Sequence, residues 1–151
     1  ASLEGQKNTI IFFVDRDYNY IYFNKAHREG MKYAYNVDIE PGMNIIECMS
    51  KPEDQKATKE TLDRGLKGES FTYLNEFGTV NRDYYEVSVN PIINENNQII
   101  GCSGLTTRIT ERILAEKALR DSETKFKEII VTEMAGLATV YAGDGGIIAA
   151  V

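Results

Sequence analysis

Histidine is the side chain most often recruited for proton transfer, phosphoryl acceptance and metal ligation near neutral pH, and this sequence has one, His27. It stands in His27-Arg28-Glu29, where a neighbouring carboxylate could orient the ring for such chemistry. No ATP-binding glycine motif, kinase signature or second histidine accompanies it, so the triplet reads as non-catalytic and His27 as a surface or boundary residue. The two thiols, Cys48 and Cys102, are far apart. Neither a Cys-x-x-Cys-His motif for covalent haem nor clustered His and Cys for a metal is present. Gly143-Asp144-Gly145-Gly146 has the glycine density of a phosphate loop. It lacks the Gly-Lys-Ser/Thr ending and stands where a hairpin turn is expected. What remains is binding chemistry. The nine tyrosines each combine a large apolar body with a hydroxyl that can orient a ligand.

The elements that would position such groups follow from length and patterning. A chain of 151 residues, 42% hydrophobic and 26% charged, is one domain with something added, and it can bury a real core. A net charge of -6 with no gathered basic patch argues against nucleic acid or an anionic membrane surface as partner. Two distant cysteines suit a reducing compartment. No signal peptide is visible and no apolar run could span a bilayer, so a soluble, cytoplasmic module without direct membrane contact is expected.

Residues 1 to 8 read as a polar lead-in. Residues 9 to 14 and 20 to 23 read as strands joined by an Asp-rich turn; five consecutive apolar residues in the first imply that both its faces are covered. Asn24 is suited to cap a helix. Short helical pieces follow through residues 45 to 49, punctuated by Gly30 and Pro41-Gly42. A clearer helix spans 53 to 66, after Pro52 and with acids in its first turn. Alternation marks strands at 71 to 77, 85 to 89 and 98 to 107, with Pro91 ending the pairing of the second of these. Two strands, short helices, three strands and an exit helix amount to an antiparallel five-stranded sheet of the α+β class.

Alternation and the helix stripe select Phe13, Tyr22, Ile46, Met49, Leu62, Leu66, Phe71, Tyr73, Tyr85, Val87 and Cys102 as the lining of an apolar pocket. The same side chains would equally fill a closed core. From residue 90 to 120 a small-residue strand runs into a charged helix with no intervening loop, so a shift in the strand must move the helix. Thr107, Arg108, Ile109 and Thr110 are the transmission residues. In the helix, read as 113 to 130, Ala115, Leu119, Ser122, Phe126 and Ile129 recur at steps of four and three, a seam narrow enough to need a partner helix. A homodimer is expected.

Phe13-Val14-Asp15-Arg16-Asp17, Phe23-Asn24-Lys25-Ala26, Tyr85-Glu86-Val87-Ser88-Val89-Asn90-Pro91-Ile92, Gly101, Ile109-Thr110-Glu111-Arg112 and the run 115 to 123, in this order and spacing, resemble a PAS domain with a trailing PAC segment. The family usually carries an acid immediately before the Ile-Thr pair, where this chain has Arg108. The resemblance implies a PAS domain over 9 to 108 and a linker helix over 109 to 130. It further implies a sensory input module that binds a small molecule or partner and signals to an output domain of a prokaryotic sensor histidine kinase or cyclic-dinucleotide enzyme. The alternative is a structural dimerisation spacer with a filled core; a third reading, an α+β enzyme, would need an acid-base set the proposed lining lacks. Cofactor identity stays unknown. Flavin-binding members carry an Asn-Cys-Arg-Phe-Leu-Gln run, whereas Cys48 lies in Ile46-Glu47-Cys48-Met49-Ser50 and reads as a small buried hydrophobe. Haem-binding members take a His from the main helix, and 53 to 66 contains none. Finally, 137 to 148 echo the strand-turn-strand plan of 11 to 22, so 131 to 151 read either as the start of a second PAS domain or as a flexible tail.

Overall fold

The structure, a computed structural model, describes residues 9–143, with side chains described through residue 135. The first strand, β1 (Thr9–Asp15), is buried at Ile11, Phe12 and Val14, so both its faces are covered, as its unbroken apolar run requires. Asp15 Oδ1 accepts from the Asp17 and Asn19 N–H groups and Tyr18 takes a positive φ of 67°, which turns the chain into β2 (Tyr20–Phe23). Asn24 then does two jobs. Its side-chain oxygen accepts from His27 N (2.9 Å), capping α1 (Lys25–Tyr35), and from Ile11 N (3.1 Å), tying the helix start to β1. Asn36, left-handed at φ 56°, ends the helix.

Residues 36 to 51 are turns and a single bridge, Asn19 to Asn44, in place of the short helical pieces expected there. Ile45 and Met49 are buried in that segment all the same; apolar anchors hold it without regular hydrogen bonding. The second helix, α2 (Pro52–Leu66), carries Pro52 in its first turn with Glu53 and Asp54 beside it. Three strands complete the sheet: β3 (Phe71–Phe77), β4 (Asp83–Ile93) and β5 (Ile99–Arg108). All pairings are antiparallel in the order β2-β1-β5-β4-β3, with β5 in the centre. This is the expected five-stranded α+β arrangement.

Pro91 does not end pairing, since it sits opposite Cys102 and the ladder continues to Ile93. The parity of the ladder explains this. Ile109 N–H donates to Tyr84 O, so even-numbered residues of β4 direct their N–H groups at β5 and odd ones toward β3. Pro91 therefore turns its missing donor to the β3 side, where pairing has stopped at Phe71 opposite Val89.

Two glycines set the packing of the sheet's inner face. A Cβ at Gly104 would lie 2.3 Å from the Phe12 ring, and one at Gly65 would lie 2.6 Å from Cys102 Sγ. Phe12 can lie across β5, and α2 can close onto it, because both side chains are absent. The chain divides into two units, one ending at Thr110 and the other beginning at Glu111. The second is carried by α3 (Thr110–Gly143), of 34 residues and about 50 Å by helical rise. It extends well past the expected end at 130, and residues 137 to 140, expected as a strand, are helical. The remainder of the echo, 144 to 148, lies outside the described residues, as do 149 to 151.

Candidate functional site

Between the sheet and the two helices of the first unit lies a cavity of about 70 Å³. Its helical wall comes from His27, Met31, Ala34 and Tyr35 of α1 and from Thr58, Thr61 and Leu62 of α2. The sheet contributes Ile10 and Phe12 of β1, Tyr73 and Phe77 of β3, Tyr85, Val87 and Val89 of β4, and Thr106 of β5. Ile45 and Met49 close it from the turn segment. Among these lining residues no side chain carries a charge at neutral pH.

His27 is buried, 6% exposed, which corrects its reading as a surface or boundary residue. Its Nε2 is 2.7 Å from the Tyr20 hydroxyl, and its ring lies within 5.1 to 6.2 Å of the Phe12, Tyr20 and Phe23 ring centres. Burial lowers its pKa to about 3, so the ring is neutral. The signal for this was present: His27, Met31, Ala34 and Tyr35 recur at helical spacing and are the buried residues of α1. At the other end of the helix the Tyr35 hydroxyl donates to buried Asp54 at 2.5 Å. The Gly78 N–H (3.0 Å) and Arg82 (3.1 Å) complete the carboxylate's partners. Burial, then the Asp54 bond and charge, push the Tyr35 phenol far above its ordinary range. Thr61 bridges the helix backbone to the Tyr73 hydroxyl.

Of the residues proposed from sequence for the pocket, Met49, Leu62, Tyr73, Tyr85 and Val87 line the cavity. Ile46, Leu66 and Phe71 are partly buried against the core without reaching it. Cys102 is fully buried and donates to Leu62 O at 3.4 Å, packed behind the wall rather than in it. Phe13 and Tyr22 belong to the opposite face of the sheet, where they pair with each other at 5.4 Å. The inward residue is Phe12. Five consecutive apolar residues carry no alternation from which to choose the parity. Cys48 is a free, buried thiol whose pKa burial raises, in line with a small hydrophobe.

The end of β5 is bonded in a way that the expected transmission residues only partly foresaw. Asp83, buried at the start of β4, accepts from Arg108 (3.1 Å) and from the Thr110 hydroxyl (2.8 Å). Thr110 in turn accepts from Tyr84 N, and Ile109 N donates to Tyr84 O. Burial alone would raise the Asp83 pKa, but Arg108 and the Tyr33 and Thr110 hydroxyls outweigh it and hold the acid below its ordinary value. The base at 108 is thus paired to an acid on the neighbouring strand. Thr107 is exposed between Thr9 and Glu86 and takes no side-chain part. In the second unit Ala115, Leu119, Ser122 and Phe126 are all exposed, Leu119 at 60% and Phe126 at 63%.

Among the described residues no group of His, Cys, Asp and Glu could hold a metal ion, and no helix is long and apolar enough to cross a membrane. No family model matches the chain, and no curated protein matches it. Solved structures do. The PAS domain of BvgS from Bordetella pertussis is 16% identical, with 82% of this chain and 92% of that one covered at a TM-score of 0.59. A sensory box sensor histidine kinase from Vibrio cholerae is 20% identical, over 72% and 87%, at 0.52. The Vibrio cholerae VqmA-ligand-DNA complex is 13% identical, over 70% of this chain and 48% of that one, at 0.57.

Proposed function

We propose that this chain, whose fold is that of PAS domains, is a non-catalytic sensory input module of a signal-transduction protein. It binds a small molecule in the cavity and passes the change through the end of β5 into α3 and on to an output domain. The observation that carries this reading is a continuity: Thr106 lines the cavity, and four residues later Thr110, bonded to Asp83, begins α3. A ligand that bears on Thr106 or Tyr85 bears on a strand end whose position the exit helix inherits. Such a ligand signals only through a difference in affinity between two arrangements of that junction.

The exposed seam of α3 supports a homodimer through that helix, since Leu119, Phe126 and Ile129 gain little from water. The sensor kinase neighbour and the ligand in the VqmA complex support the sensory assignment. The DNA of that complex does not transfer, because a net charge of -6 opposes a polyanion. Native mass spectrometry of the freshly purified chain tests the reading. A dimer carrying extra mass that disappears on denaturation is expected, and a monomer at the bare chain mass would remove both of its supports.

A second reading, a dimerisation spacer with a filled core, draws on the smallness of the cavity beside ordinary ligand pockets of roughly 300–1,000 Å³. Under it, substitutions at Leu62 or Tyr85 change stability and no ligand affinity.

A further inference from the structure

The cavity's lining specifies a class of occupant, an inference that rests on the ligand-binding reading above. Three side chains of the lining carry a polar atom that makes no hydrogen bond among the described residues: Tyr85 through its hydroxyl, Thr106 through its hydroxyl and His27 through Nδ1. Their residues are buried at 5%, 8% and 6% exposure. The other polar linings are engaged, Tyr35 with Asp54, Thr58 with Met49 Sδ, and Thr61 with its helix and Tyr73. Buried donors and acceptors are ordinarily paired, so free ones on side chains that line an apolar cavity are positions for a ligand's polar atoms. Tyr85 and Thr106 are brought close by the register, since Thr106 pairs with Val87 and Arg108 with Tyr85. His27 faces the cavity from α1.

Charge and size narrow the class further. The wall contains no cation or anion, and His27 is neutral there, so a charged ligand would be desolvated without compensation. The cavity's 70 Å³ corresponds to roughly six water-sized units at about 10–15 Å³ each. We propose that the cavity selects a small, uncharged, mainly apolar molecule of about five to seven non-hydrogen atoms, carrying a hydroxyl, carbonyl or ring nitrogen for Tyr85, Thr106 and His27. Larger cofactors with fused rings do not fit the cavity as formed.

Three probes of similar bulk separate the parts of this proposal: phenol, toluene and the permanently charged N-methylpyridinium, each titrated into the full chain by calorimetry and by thermal melting. Phenol is expected to bind and raise the melting temperature, toluene to bind about fivefold more weakly, and N-methylpyridinium to give no shift. In the Tyr85→Phe/Thr106→Val double variant, which keeps the bulk of both side chains, phenol should lose its advantage while toluene binds as before. N-methylpyridinium binding as tightly as phenol would overturn the charge selection. Toluene matching phenol in the unmodified chain would overturn the polar one. If none of the three binds, the class is overturned, and retained mass in the native spectrum decides the ligand-binding reading separately.

Discussion

His27 ties the first part of the fold's dependence on acid to one side chain. Its folded pKa, about 3, lies below an unfolded value near 6.5, so between those limits the unfolded chain takes up a proton that the folded chain refuses. Stability from this residue is complete above pH 6.5 and declines as pH falls, by about 1.4 kcal/mol per unit well below that value. Urea unfolding at pH 7, 5.5 and 5 should approach that slope at the acid end, and His27→Gln should flatten it. An unchanged slope would place the titration elsewhere. Asp83 acts in a lower window, because its depressed pKa contributes stability that is lost only as pH falls through the carboxylate range. At this scale the sequence was legible where patterns were clean. Tyr73, Tyr85 and Val87 alternate on strands, and Leu62 sits on a helix stripe; all four line the cavity. It misled at Phe13 and Tyr22, where no alternation sets the parity, and at His27, where a polar residue type masked a core position.

At the scale of elements, the exit of β5 was readable as a strand running directly into a helix, but the means of holding it was not. Asp83 meets Arg108 and Thr110 only through strand pairing 25 and 27 residues away in sequence, and no local pattern announces such a contact. Pro91 is a similar case. Its effect depends on where the neighbouring strand stops, which is a tertiary fact. For α3 the seam was explicit in the spacing, and its exposed Leu119 and Phe126 make a direct prediction. Leu119→Asp should shift the chain from dimer to monomer by light scattering while its circular dichroism and unfolding free energy remain those of the parent. A variant as dimeric as the parent would move the interface off this helix.

For the molecule as a whole, the proposed function requires that occupancy of the cavity be felt at the start of α3. The covalent path is short, from Thr106 in the wall to Thr110 in the helix. A polar path runs beside it. Tyr35, in the wall, bonds Asp54; Asp54 pairs with Arg82; the next residue, Asp83, holds Arg108 and Thr110. Networks of this kind couple sites when they have two arrangements that a ligand distinguishes, typically by fivefold or more in the linked equilibrium. The most direct measurement is amide hydrogen exchange, read by NMR at Ile109, with and without saturating phenol. Its N–H donates to Tyr84 O across the junction. Exchange at Ile109 is expected to change by about fivefold or more on binding, and the Tyr85→Phe/Thr106→Val variant is expected not to respond. Phenol bound in the cavity with the Ile109 rate unchanged would contradict the proposed function.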